Sequence, residues 1–246
     1  MTHVSATTTL VGILGWPVSH SLSPPMQNAA FAALGLDWVY VPLPAPPERL
    51  AEAVRGLAAT GFAGANVTIP HKSAVVDLCD EVEEAAARAG SVNTLAFQDG
   101  RVQGSSTDVV ALERAVAGAS GRALVLGAGG SAKAAVAALA RLEVEVVGRR
   151  DPGWPPDASG YDVVVNATPV RDDPLVRPAA GQTVVDLPYN PDGSPTALAR
   201  AAREAGARVV DGLELLLWQG AASFERWTGR PAPLEAMRAA LPGRAP

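Results

Sequence analysis

The residues of this chain best suited to chemistry fall in short polar clusters: Ser21 and Ser23, Asn66 and Thr68, Lys72, Asn93 and Thr94, and Asp108. Each follows a stretch that reads as a β-strand, and ligands bind at strand ends in open α/β sheets. Together they offer hydroxyls, amides, one ammonium and one carboxylate, a set suited to a small polyhydroxylated acid. A second centre is Gly127-Ala128-Gly129-Gly130-Ser131-Ala132, which follows an apolar run and opens an alanine-rich stretch. Glycines let the backbone turn tightly against a pyrophosphate, and the amides and dipole of a helix start favour that anion. Ala132 completes the G-x-G-x-x-G/A spacing. The next strand ends Val147-Gly148-Arg149-Arg150. An acid there would bind a ribose 2′-hydroxyl; two arginines suit a 2′-phosphate, so NADP is expected as cofactor rather than NAD.

These groups need strands and helices to hold them. Residues 9–14, 38–43 and 61–69 read as strands, and residues 48–59 as an amphipathic helix. Ser23 before Pro24 reads as a helix cap, with that helix ending near Gly35. Pro70 reads as the start of another helix carrying His71 and Lys72, and residues 81–89 as a further one. Asp99-Gly100 is a two-residue hairpin signal between two strands. Residues 108–117 read as a linking helix. Beyond it come strand, glycine turn, helix and strand, then three more strands near 161–168, 183–189 and 207–212, with a helix over 195–205.

The fold expected is two-domain α/β. An N-terminal substrate domain with a mixed sheet, residues 1–106, is completed by C-terminal helices over 213–246. Residues 107–212 form a truncated Rossmann-type NADP-binding domain that lacks one strand–helix unit after residue 150. In the strand order 3-2-1-4-5-6 the missing strand is an edge, so the sheet survives its loss. Residues 151–160 should then cross over as an extended, proline-stiffened segment, leaving the adenine side open.

Composition narrows the alternatives. Hydrophobic residues make up 48% and charged residues 18% of 246, a folded rather than disordered balance. The net charge of −5, with no basic block, argues against a nucleic-acid partner. The one cysteine, Cys79, rules out an internal disulfide and reads as a small buried helix residue in a reducing compartment. No signal peptide and no membrane span is evident, so a cytoplasmic monomer or homodimer without a membrane partner is expected. His20 and His71 have no accompanying carboxylate cluster, so no metal site is expected.

The motifs Ser-His-Ser-Leu-Ser-Pro, Asn-Val-Thr-Ile-Pro-His-Lys, Ser-Val-Asn-Thr, Gly-Ala-Gly-Gly, Asn-Ala-Thr and Trp-Gln-Gly…Trp-Thr-Gly, in this order from about Gly12 to Gly229, resemble the shikimate dehydrogenase family. The resemblance implies reversible reduction of 3-dehydroshikimate to shikimate by NADPH. It implies that Ser21 and Ser23 hold the substrate carboxylate, which Tyr189 approaches. Asn66, Thr68, Asn93, Asp108 and Gln219 would hold its hydroxyls or the residues that do so. Lys72 would be the catalytic acid and base, paired with Asp108. Asn166, Thr168, Leu187, Gly212 and Leu215 would line the nicotinamide end, with Glu84 nearby, and Arg149 and Arg150 would meet the 2′-phosphate. A lysine can donate a proton in reduction and accept one in oxidation. The dipole at the expected helix start would favour the uncharged amine and Asp108 the charged one.

The chain departs from the family at Ser106, where asparagine is common, at Gln27 for histidine, Leu215 for methionine and Arg171 for glycine. Ordinary roles compete: Ser23 and Asp108 as helix caps, Asn66 and Thr68 as turn residues, Lys72 as a solvated lysine, Gln219 as a boundary residue, and Trp218, Phe224 and Trp227 as core. Oxidation of quinate or an aminated shikimate, and a non-catalytic shikimate sensor, are the alternative functions.

Overall fold

A computed structural model describes residues 4–244. In chain order the elements are β1 (Thr9–Gly15), α1 (Ser23–Ala33), β2 (Trp38–Pro44), α2 (Leu50–Ala59), β3 (Gly64–Val67), β4 (Glu81–Val82), α3 (Glu84–Ala89), β5 (Thr94–Gln98), β6 (Arg101–Ser105), α4 (Thr107–Ala115), β7 (Arg122–Leu126), α5 (Gly130–Ala138), β8 (Glu143–Val147), β9 (Val163–Asn166), β10 (Thr183–Asp186), α6 (Ala197–Glu204), β11 (Arg208–Val210), α7 (Gly212–Thr228) and α8 (Leu234–Ala239). The chain divides into two units: residues up to Thr107 together with those from Leu217 onward, and Asp108–Leu216.

The first unit is built on a mixed sheet in the order β2-β1-β3-β5-β6-β4. Strand β1 runs parallel to β2 and β3, and β5 runs antiparallel to β3 and β6. Strand β3 is buried along its whole length, because neighbours cover both faces. The β5–β6 hairpin turns at Asp99 and Gly100, both with positive φ (52° and 74°), the pair a type I′ turn requires. The C-terminal part of α7 packs back here: Phe224 stacks on Phe31 with ring centroids 5.3 Å apart, and Trp227 Nε1 donates to Leu95 O at 2.9 Å. Phe224 and Trp227 therefore do serve the core.

The second unit holds a parallel sheet in the order β11-β10-β9-β7-β8. That is the doubly wound order, with no strand beyond β8 among the described residues. Valine-rich β9 is wholly buried, whereas β8 is largely exposed. Between β8 and β9 lies neither helix nor strand. That crossover is turn-rich rather than extended: Asp151 N donates to Gly148 O at 2.9 Å, and Trp154 packs on the core formed by Leu124, Leu126 and Val147.

Four local expectations are corrected. No α-helix starts at Pro70; Lys72 lies in a turn, followed by a single 3-10 stretch at Ala74–Leu78. The reason is tertiary, since the Lys72 carbonyl accepts from Val92 N at 2.8 Å, a bond a helix would give to residue 76. Lys72 is thus not in the first turn of an α-helix. Residues 81–82 form a strand, not a helix, because Asp80 N and Glu83 N donate to Val102 O and Gly104 O on β6 (2.8 and 2.9 Å). Ser23 is the first residue of α1 rather than its cap; its own N–H donates to the Ser21 hydroxyl at 3.2 Å. Cys79 follows the 3-10 stretch and is only half-buried, and desolvation, with the charge of Asp80, pushes its thiol up to about 11.

Candidate active site

In the first unit the polar clusters converge at the ends of β1, β3 and β5. Gly15 closes β1, where any Cβ would collide with Thr68 Cγ2 and lie 2.8 Å from Val18 Cγ1. The glycine lets β1 approach the turn after β3, and Thr68 N donates to Leu14 O at 2.9 Å. That turn is pinned further by buried His71, whose N–H donates to Thr68 O at 2.9 Å and whose Nε2 lies 2.8 Å from Ala45 O. Lys72 follows, half-buried. Ser21 and Ser23 sit at the start of α1, Ser23 only 3% exposed.

Asn66 is buried and committed to the interior. Its Oδ1 accepts from the Tyr40 hydroxyl at 2.8 Å, and its Nδ2 faces Ser223 Oγ, Thr94 Oγ1 and Asn93 O at 2.9, 3.1 and 3.2 Å. Asn93 has two partners at the start of α4: its Oδ1 accepts from Thr107 N at 2.7 Å, and its Nδ2 donates to Thr107 Oγ1 at 2.9 Å. Asn93 therefore caps the helix whose next residue is Asp108, half-buried. Asn93 Nδ2 also reaches Gln219 Oε1 on α7 at 3.3 Å. Gln27 is fully buried, with Nε2 donating to Gly220 O at 2.9 Å and Oε1 without a hydrogen-bond partner among the described residues.

Tyr40, Thr107 and Ser223 were not picked out from sequence. Ser223 carried a usable signal: it lies four residues after Gln219, on the same helix face. Glu84 lies apart from these groups in its bonding, an exposed residue of α3 paired with Arg88 at 3.4 Å.

In the second unit the glycine turn leads from β7 into α5. Gly127 has φ +114°, and a Cβ there would lie 3.1 Å from Ala167 O. Gly129 is the N-cap of α5, no side chain caps that helix, and a Cβ on Gly129 would meet nothing within 4 Å. Ala128 and Gly129 are exposed, and Gly130 and Ser131 are partly so. An open, uncapped helix start of this kind fits a dinucleotide pyrophosphate. Arg149 and Arg150 are exposed in the turn that ends β8. The sequence contains an acid closer to this position than expected: Asp151 folds back so that its Oδ2 accepts from Gly148 N at 2.7 Å. A Cβ on Gly148 would lie 3.1 Å from that oxygen and 3.6 Å from Ala128 Cβ, so strand end, glycine turn and carboxylate lie together.

Asn166 at the end of β9 is wholly buried; its Oδ1 accepts from Thr168 N and Oγ1 (3.0 and 2.7 Å), shaping the Asn-Ala-Thr loop. Its Nδ2 donates to Asp186 Oδ1 at 2.8 Å. The other Asp186 oxygen accepts from the Thr196 hydroxyl. Burial pushes the Asp186 carboxyl up to about 6, against the lowering effect of those two hydrogen bonds. Leu187 N donates to Asn166 O at 3.0 Å, and Gly212 packs so close to Leu187 O and Pro188 O that no Cβ fits. Tyr189 is half-buried and Leu215 is 6% exposed.

Residues 13–95 match the shikimate dehydrogenase substrate binding domain, and residues 212–241 the shikimate 5′-dehydrogenase C-terminal domain. A shikimate dehydrogenase (NADP(+)) from Rubrobacter xylanophilus is 44% identical, covering 98% of this chain and 98% of its own length. That alignment runs to 278 positions against 246 residues here, so the relative carries residues this chain lacks. A shikimate dehydrogenase solved in complex with NADP+ superposes with a TM-score of 0.89 at 32% identity, over 97% of this chain and 96% of that one. The Thermus thermophilus enzyme, solved with NADP(H) and shikimate, gives 0.82 at 34% identity over 95% and 98%.

Proposed function

Because the chain belongs to the shikimate dehydrogenase family, we propose that it catalyses the reversible reduction of 3-dehydroshikimate to shikimate with NADPH. One observation carries this reading: relatives named for that reaction match at 40–44% identity over nearly the whole chain.

Within that reaction the residues take the following parts. Bound NADPH supplies the hydride. Lys72 donates a proton to the carbonyl oxygen during reduction and takes it back during oxidation. Asp108 orients the ammonium. Ser21 and Ser23 hydroxyls hold the substrate carboxylate, with Tyr189 beside it. Thr68, Asn93 and Gln219 hold ring hydroxyls, and Asn66 fixes the groups that do so. On the cofactor side, Gly127, Ala128, Gly129, Gly130 and Ser131 would hold the pyrophosphate, and Arg149 and Arg150 the 2′-phosphate. Asn166, Thr168, Leu187, Gly212 and Leu215 would shape the nicotinamide pocket. No described helix is long and apolar enough to cross a membrane; we place the reaction in the cytoplasm.

The test is oxidation of NADPH by purified protein with 3-dehydroshikimate and, in the reverse direction, reduction of NADP+ or NAD+ with shikimate, quinate or an aminated shikimate. Turnover best with shikimate and NADP is expected. Tight shikimate binding without turnover would favour a sensor instead.

A further inference from the structure

The interior network of the first unit has a direction. Ser223 is wholly buried on α7, and its hydroxyl lies within hydrogen-bond distance of four groups: Gln219 O at 3.0 Å, Asn66 Nδ2 and Thr94 Oγ1 at 2.9 Å, and Thr107 Oγ1 at 3.1 Å. A serine has one proton and two lone pairs. The Gln219 carbonyl can only accept, so the serine proton goes there. Both lone pairs must then receive, and Asn66 Nδ2, which can only donate, takes one of them. A threonine hydroxyl takes the other.

The amide orientations follow from the rest of the network. Asn66 Oδ1 is occupied by the Tyr40 hydroxyl, so its nitrogen is the end facing Ser223. Asn93 Oδ1 is occupied by Thr107 N, so its nitrogen faces Thr107 Oγ1 and Gln219 Oε1. With Gln219 Oε1 turned to Asn93, the other end of that amide is the donor. Thr107 Oγ1 accepts from Asn93, and passes its own proton toward the serine or its neighbours.

We propose that Ser223 is a positioning residue for substrate, acting with Thr107 as the acceptor toward which this network drains. Ser223 would touch no ligand. It would hold the Thr107 hydroxyl as the acceptor for Asn93 Nδ2 and, through Asn93, the place of Gln219 Oε1; these are the two amides assigned above to ring hydroxyls, and the inference rests on that assignment. Removing the hydroxyl takes an acceptor from Asn66 Nδ2 and Thr107 Oγ1, and leaves the Thr107 hydroxyl free to turn its lone pairs away from Asn93.

The experiment compares Ser223→Ala, Thr107→Val and Thr107→Ser in steady state, with thermal unfolding alongside. Thr107→Val keeps the volume and removes the hydroxyl, and Thr107→Ser keeps the hydroxyl. Ser223→Ala and Thr107→Val should each raise KM for shikimate by roughly five- to tenfold, with KM for NADP and kcat changed less than about threefold. Thr107→Ser should behave like wild type. The double variant Ser223→Ala with Thr107→Val should be little worse than either alone, since both interrupt one network. The proposal is overturned if shikimate KM stays at the wild-type value while Tm falls, or if both KM values rise together. A wild-type protein inactive with shikimate would instead defeat the reaction assigned above.

Discussion

At the scale of single residues, two side chains carry separate predictions. Lys72 is held in a turn by a backbone bond to Val92 and not by a helix. Lys72→Ala should lower kcat by about 10²–10⁴-fold, the range for losing a positioned acid, with shikimate affinity changed far less. Single-turnover kinetics beside a binding titration would separate the two. Asp151 puts a negative charge next to two arginines while its oxygen holds the Gly148 amide. Asp151→Asn keeps an acceptor for that amide and removes the charge. Within a Debye length and in a solvent-like dielectric, such a charge costs on the order of 0.5–1 kcal/mol against a phosphate. NADP+ should bind a few-fold tighter to the variant and NAD+ almost unchanged; calorimetric titration showing equal changes for both would rule out this role.

At the scale of elements, close packing decides which loops can move. The start of α7 lies against the segment after β10, and a Cβ on Gly212 would be 2.5 Å from Pro188 O and closer still to Leu187 O. Gly212→Ala should therefore destabilise the protein by about 1–3 kcal/mol, as overpacking does, read from the urea midpoint. Elements were legible in the sequence where their signal was local. Asp99-Gly100 encodes its own turn, and the valine runs encode their burial. The segment from Pro70 was not, because its geometry is set by Val92, twenty residues on, which takes the carbonyl a helix needs. Residues 81–82 misled for the same reason, through pairing with β6. The motif residues of the candidate site could be named from sequence. Their interior support could not, since Ser223 and Asn66 meet across 157 positions.

At the scale of the whole molecule, Asp186 links stability to pH. Its carboxyl is raised from 3.8 to about 6 by burial, so the folded protein holds a proton that the unfolded chain has already released between those values. The favourable contribution is complete below the unfolded value and is lost as pH rises through about 6. At about 1.4 kcal/mol per pH unit the loss could reach ~3 kcal/mol. Asp186→Asn mimics the protonated group, donating to Thr196 and accepting from Asn166. Thermal unfolding at about pH 5 and about pH 7.5 should show wild type losing more Tm than the variant. An equal loss in both would mean that other groups set the slope.

The position of β8 as the last strand of its sheet has a further result. About half of the backbone amides of such a strand point outward with no neighbouring chain to receive them. They should exchange with deuterium sooner than those of β7, and they offer a template to any stray extended peptide. Val146, 42% exposed, adds an apolar foothold. Glu143 and Glu145 precede it on the strand, both near Arg122. Replacing these two glutamates with threonine would leave a bare seam, and the second unit would then be prone to aggregate along it.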